Sequence, residues 1–174
     1  MPNPPKSPGQ LFAYLDELGI PHTTVRHPPL FTVYQSRALR GQIPGGHTKN
    51  LFLRDKKHAL YLVVAPEDAV IDLKGLHRRL GAAGRFSFGS AELMREVLGV
   101  EPGSVTPFAA INDHEGRISV VLDAAMMEHE TLNYHPLTNT MTTSIARDDL
   151  IKFLAATGHP PRVERVSGPL PEAG

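Results

Sequence analysis

Apolar residues along this chain recur at two spacings, and the change from one to the other marks out its elements. Leu11, Leu15 and Leu18 fall at helical intervals. Ser7, Pro8 and Gln10 ahead of them have the arrangement of a capping box with proline at the first helical position, and Gly19 with Pro21 stops the run. His22 to Arg26 reads as a short strand favoured by Thr23, Thr24 and Val25, ended by Pro28-Pro29. Thr32 to Leu39 is expected to form a short helix capped by Thr32. A glycine-rich loop, Gly41 to Gly46, leads into the strand Lys49-Asn50-Leu51-Phe52-Leu53. A second strand, Ala59 to Val64, follows the charged turn Arg54-Asp55-Lys56-Lys57-His58.

The second half continues in the same way. Asp72 is expected to cap a helix carrying Leu73, Leu76 and Leu80 on one face, ending at Gly81 and Gly84. Ser90 opens another with Leu93, Val97 and Leu98 inward and Gly99 at its exit. Strand character returns at Phe108 to Ile111, before the polar turn Asn112 to Gly116. Ile118 to Leu122 predicts a strand buried on both faces. Asp123 to Met127 reads as a helical turn. Thr131 to Tyr134 and Thr140 to Ser144 read as a hairpin around His135 to Asn139. Ser144 is expected to cap the last long helix, with Leu150, Ile151 and Leu154 inward and Gly158 and Pro160 at its end. Arg162 to Val166 adds an edge strand.

Helices that flank runs of adjacent strands argue for a mixed α/β sheet wrapped by helices, not a doubly wound nucleotide fold. The 174 residues suit a single domain over residues 7–166, with flexible tails at 1–6 and 167–174. No cysteine is present, which excludes disulfides and thiolate chemistry. The first residues lack the apolar core of a signal peptide, and no run approaches the roughly 20 apolar residues of a membrane span. A cytoplasmic location without membrane contact is the expectation.

The net charge is zero, but it is unevenly placed. Residues 22–86 hold eleven Lys+Arg against four Asp+Glu, and residues 87–174 hold six against twelve. A basic portion of this kind can hold a polyanion through local phosphate contacts. It contains Lys49, a cation at the head of an apolar strand, suited to binding phosphate or polarising an ester carbonyl. In Gly103-Ser104-Val105-Thr106-Pro107, glycine permits close backbone approach and proline stiffens the far end. An ordinary turn needs the same residues. His135, beside Pro136 in a turn, can donate a hydrogen bond or move a proton. There is no HExxH, GxSxG, GxGxxG or GxxxxGK[ST] sequence, so neither a metal site nor a nucleotide cofactor is expected.

Taken in order, His27-Pro28-Pro29, Gly45-Gly46-His47-Thr48-Lys49-Asn50-Leu51-Phe52-Leu53, Gly103 through Phe108, and His135-Pro136-Leu137-Thr138-Asn139 resemble the aminoacyl-tRNA trans-editing family. That family is related to the insertion domain of bacterial prolyl-tRNA synthetase, and the branch most similar is the free-standing deacylase of alanyl-tRNA(Pro). The resemblance runs from about His22 to about Leu154. It implies a strongly curved, partly barrel-like mixed sheet and hydrolysis of the ester joining a wrong amino acid to a tRNA 3′ end, without a cofactor. It implies that Lys49 is the essential lysine, that Gly103, Ser104, Val105, Thr106 and Pro107 form a substrate loop, and that His135 lines the pocket with Asn50. Thr32 and Ser36 fall where that branch lines its amino-acid pocket. Arg37, Arg40, Arg54, Lys56 and Lys57 would contact the acceptor stem. The implied partners are charged tRNA and prolyl-tRNA synthetase. Deacylation of cysteinyl- or another small aminoacyl-tRNA, and a non-catalytic tRNA-binding module, are the alternatives.

Overall fold

A computed structural model describes residues 4–29 and 43–168. The expected helix from Thr32 to Leu39, with Thr32, Ser36, Arg37 and Arg40, lies outside the described residues. Helix α1 (Pro8–Glu17) starts as its sequence predicts. The Ser7 hydroxyl accepts from the Gln10 N–H, and the Gln10 side chain accepts from the Ser7 N–H. Leu11 and Leu15 are fully buried on its inner face.

Eight described strands form one mixed sheet. They are β1 (His22–Arg26), β2 (Gly46–Arg54), β3 (Leu60–Pro66), β4 (Ser87–Phe88), β5 (Ile118–Asp123), β6 (Thr131–Tyr134), β7 (Met141–Ala146) and β8 (Arg162–Glu164). The order across the sheet is β1-β7-β6-β2-β3-β5-β8, with β4 also on β2. The pairs β2–β6, β3–β5 and β5–β8 are parallel and the others antiparallel.

Strand alternation splits the apolar residues between two cores. Phe52, Leu62, Val64, Val120, Leu122, Leu132 and Ile145 face a first core completed by α1, α3 (Ala91–Val97) and α4 (Arg147–Ala156). Leu53, Val63, Ala65 and Val121 face a second, smaller core closed by Leu76 and Leu80 of α2 (Leu76–Leu80) and by Val166. Strand β5 contributes to both, as its sequence predicts. No described helix is long and apolar enough to cross a membrane.

Three local expectations are corrected. Helix α2 begins only after Gly75, because Asp72 caps a preceding turn: its carboxylate accepts from the Lys74 N–H and its carbonyl from the Gly75 N–H. Phe108 to Ile111 is not a strand but lies in a 3-10 helix, Pro107–Asn112. Thr106 supplies its hydroxyl to the Phe108 N–H, and Pro107 fixes the first turn. Ser144 does not cap α4, because it is still inside β7, where its hydroxyl donates to Asn133.

Candidate functional site

Strand β2 is the hinge of the site. Its first residues, Gly46 and His47, pair in parallel with Leu132 and Asn133 of β6. Its last two, Leu53 and Arg54, pair on that same edge with Phe88 and Ser87 of β4. Between these contacts the described β-ladder on that edge is interrupted. The Thr48 hydroxyl, donating to the Asn133 carbonyl at 2.7 Å, closes one end of the gap. The Gly89 N–H, donating to the Phe52 carbonyl at 2.9 Å, closes the other. Alternation along β2 therefore directs the main-chain N–H and C=O of Asn50 into the opening.

Glycines make the entry to β2 possible. Gly45 has φ +105°, and a Cβ there would lie 3.0 Å from both Asn133 Nδ2 and the Thr131 carbonyl. A Cβ on Gly46 would meet the His129 ring at 2.8 Å. Asn133 is the fastener: its amide donates to the Pro44 and Gly46 carbonyls, both at 3.2 Å, and its oxygen accepts from Ser144.

Lys49 follows His47 by two residues along β2, and His135 follows Asn133 by two residues, just past the end of β6 at Tyr134. Lys49 pairs across β3 with Ala65 of the second core. It is half-buried, and its Nζ donates to the Ala69 carbonyl. An ammonium has three donors, and among the described residues one hydrogen bond, to the Ala69 carbonyl, is formed. On the β1–β7–β6 side this face is polar, carrying His27, Asn133, His135, Thr142 and Ser144. On the β3–β5 side it is apolar and covered by α2. Lys49 stands at the border. A cleft of about 400 Å³ lies on the polar half, lined by Thr23, Val25, Ile43, Pro44, Gly45, His129, Thr131 and Ser144 among others. Neither this cleft nor a larger one of about 920 Å³, beside α1 and the Pro107–Asn112 helix, is lined by a predicted site residue.

His135 is held as a neutral acceptor. Its Nδ1 faces the Met141 carbonyl at 2.9 Å, and a carbonyl only accepts, so Nδ1 carries the proton. Burial pushes the imidazole below its ordinary 6.5; the Met141 carbonyl opposes this in part, and nearby His27 adds to the depression. Nε2 is then left with its lone pair. The His27 ring lies 6.2 Å from that of His135, with Nε2 bonded to the Thr142 hydroxyl and Nδ1 to the Pro28 carbonyl.

The Gly103–Pro107 loop meets the same hairpin. Ser104 shares a cleft with Leu137, Thr138 and Asn139, and a Cβ on Gly103 would touch Asn139 at 3.6 Å. Gly103 is exposed, with φ +94°. Thr106 and Pro107 turn inward to build the 3-10 helix, and Val105 packs on the first core. Of this loop only Gly103 is exposed; Ser104 is buried beside it. Asn50 lies across from Val64 on the first-core side, and its Oδ1 is buried with no hydrogen-bond partner among the described residues. Arg54, Lys56 and Lys57 are exposed at the β2–β3 turn; Arg54 is about 17 Å along the strand from Lys49. No group of three or more metal-ligating side chains occurs among the described residues.

Comparison with known proteins decides the family. Residues 27–153 match the model of the aminoacyl-tRNA editing domain. The chain belongs to the aminoacyl-tRNA editing domain family. It is 38% identical over 154 residues to prolyl-tRNA synthetase associated domain-containing protein 1 of Danio rerio, covering 87% of this chain and 83% of that one. It is 35% identical over 150 residues to the prolyl-tRNA editing protein ProX of Acetoanaerobium sticklandii, covering 86% and 91%. The crystal structure of a candidate trans-editing enzyme for prolyl-tRNA synthetase superposes with a TM-score of 0.70 at 20% identity, covering 94% of this chain and 99% of that one, and shares the fold.

Within this editing domain, the sequence did not single out Asn133, Thr142 or Phe88, and it noted His27 only as part of a motif. Asn133 and Thr142 look like ordinary strand residues until the sheet brings them beside His27 and His135. The His-Pro-Pro sequence was the available signal for His27, since the prolines fix the backbone where its ring turns inward.

Proposed function

We propose that this editing domain hydrolyses the ester of a mischarged aminoacyl-tRNA, with alanyl-tRNA(Pro) as its main substrate. What supports this reading is the opening beside β2, with Lys49 two residues beyond the His47–Asn133 pair on β2 and His135 two residues beyond it after β6. The terminal adenosine enters between that opening and the Gly103–Ser104 end of the substrate loop. Lys49, already oriented by the Ala69 carbonyl, directs its remaining N–H donors to the ester carbonyl or the adjoining phosphate. It thereby favours the negative charge of the tetrahedral intermediate. Water attacks the acyl carbon. The bond from that carbon to the ribose oxygen breaks, one proton of the water passes to the ribose oxygen, and free amino acid leaves. The neutral Nε2 of His135 accepts a hydrogen bond from the substrate's amino group or free ribose hydroxyl and orients it.

Selection runs by size. A proline-accepting synthetase rejects the smaller alanine weakly, since missing methylenes are worth only about 1–3 kcal/mol. A second, smaller pocket, lined in this proposal by Thr32 and Ser36, admits alanine and excludes proline. Arg37, Arg40, Arg54, Lys56 and Lys57 attract the acceptor stem. The proposed partners are tRNA and prolyl-tRNA synthetase, in the cytoplasm; the names of the relatives support both. The test is incubation of purified protein with alanyl-tRNA(Pro) and prolyl-tRNA(Pro). Release of alanine with proline retained supports the reading. Preferential cleavage of cysteinyl- or another small aminoacyl-tRNA changes the substrate, and binding without cleavage of any charged tRNA makes the protein a tRNA-binding module.

A further inference from the structure

Phe88 is the aromatic side chain that the described fold leaves most open to solvent, at 60% exposure. Its backbone is nevertheless fixed. β4 pairs Phe88 with Leu53, and the next residue, Gly89, donates its N–H to Phe52. A Cβ on Gly89 would meet the buried Phe52 ring at 2.4 Å, so this corner sits tightly on the core. Because Phe88 pairs with Leu53, it faces the same side of the sheet as Leu53 and Lys49, about 13 Å along β2 from Lys49.

The surroundings are cationic. Arg54, Lys56, Lys57 and Arg85 are exposed and make no ion pair among the described residues. The one acid within the turn, Asp55, is turned inward, its carboxylate accepting from the N–H groups of Lys57, Ala59 and Ala83. Alternation puts Arg54 on the opposite side of the β2–β4 ribbon from Phe88, so it borders the corner and does not share the ring's face.

We infer that this corner binds the single-stranded 3′ end of an RNA, with Phe88 as a stacking platform for an unpaired base upstream of the terminal adenosine. A flat ring accepts any base on its π-face, and the cations bordering the corner attract the phosphates of the strand that runs past it. The inference rests on the proposed editing of charged tRNA and adds a contact on the Lys49 side of the sheet.

The experiment compares wild type, Phe88→Ala and Phe88→Trp. It measures anisotropy of a short uncharged single-stranded RNA ending in CCA, and KM and kcat on alanyl-tRNA(Pro). Phe88→Ala is expected to weaken RNA binding about fivefold or more and to raise KM more than it lowers kcat. Phe88→Trp is expected to restore both, and unchanged melting of each variant checks the fold. Equal RNA affinity in wild type and Phe88→Ala overturns the platform, whether or not the enzyme edits. Hydrolysis by wild type with that equality removes only the platform. Wild type that neither binds RNA nor hydrolyses charged tRNA removes the proposed function as well. Loss of binding to prolyl-tRNA synthetase in Phe88→Ala with RNA affinity intact assigns the corner to a protein partner and also overturns the inference.

Discussion

Replacing Asp113 with alanine tests a buried polar network of the described fold. Asp113 and His159 both have side chains only 2% exposed, joined at 2.9 Å. The Asp113 carboxylate also accepts from the N–H groups of Arg117 at 3.0 Å and Ile118 at 2.9 Å. His159 continues through its other nitrogen to Thr157, whose hydroxyl donates to the Leu154 carbonyl at the end of α4. The network thus fixes the turn before β5 to the exit of α4. Asp113→Ala leaves three donors without their acceptor. Removing one partner of a buried pair costs about 3–5 kcal/mol, which for a chain of this size lowers Tm by about 6–20 °C.

Burial alone would push the Asp113 carboxyl up. The His159 contact and the two main-chain N–H groups outweigh it and hold the group below its ordinary 3.8. With the folded value the lower one, the stabilisation is complete above 3.8 and is lost as pH falls through the folded value. Urea unfolding of wild type and variant at neutral pH, and again down to pH 3, measures both effects. A loss under about 1 kcal/mol, the worth of an exposed pair, or a gap that does not narrow in acid, would refute the reasoning.

Two further outcomes concern the site. The folded value of His135 lies below 6.5, so the acid limb of kcat/KM should have its midpoint below that value and vanish in His135→Asn; a midpoint above 6.5 contradicts a neutral acceptor. Arg54→Ala, Lys56→Ala and Lys57→Ala combined should reduce the slope of log affinity for tRNA against log salt by about 2–3, and an unchanged slope takes the turn out of the RNA contact.

The elements with local signals were legible in the sequence. The Ser7–Gln10 capping box, the apolar run of β5 and the β6–β7 hairpin each rest on neighbouring residues. Asp72 and Ser144 misled because a short polar side chain serves a turn, or a cross-strand partner such as Asn133, as well as it caps a helix. Phe108 to Ile111 is apolar enough for a strand, but Thr106 and Pro107 start a helix first. Strand β4, only two residues long, is too brief to show a period. The site was legible as motifs but not as an arrangement. Nothing local to Lys49 or His135 announces that β2 leaves β6 between them, because that gap is made by long-range pairing with β4 and by the glycines that admit Asn133.

The central claim is that the Lys49 ammonium promotes ester hydrolysis. The direct measurement is single-turnover deacylation of alanyl-tRNA(Pro) by wild type and Lys49→Ala, with tRNA affinity measured in parallel. The account predicts a rate at least about 100-fold lower in the variant with affinity little changed. Deacylation at the wild-type rate would contradict it.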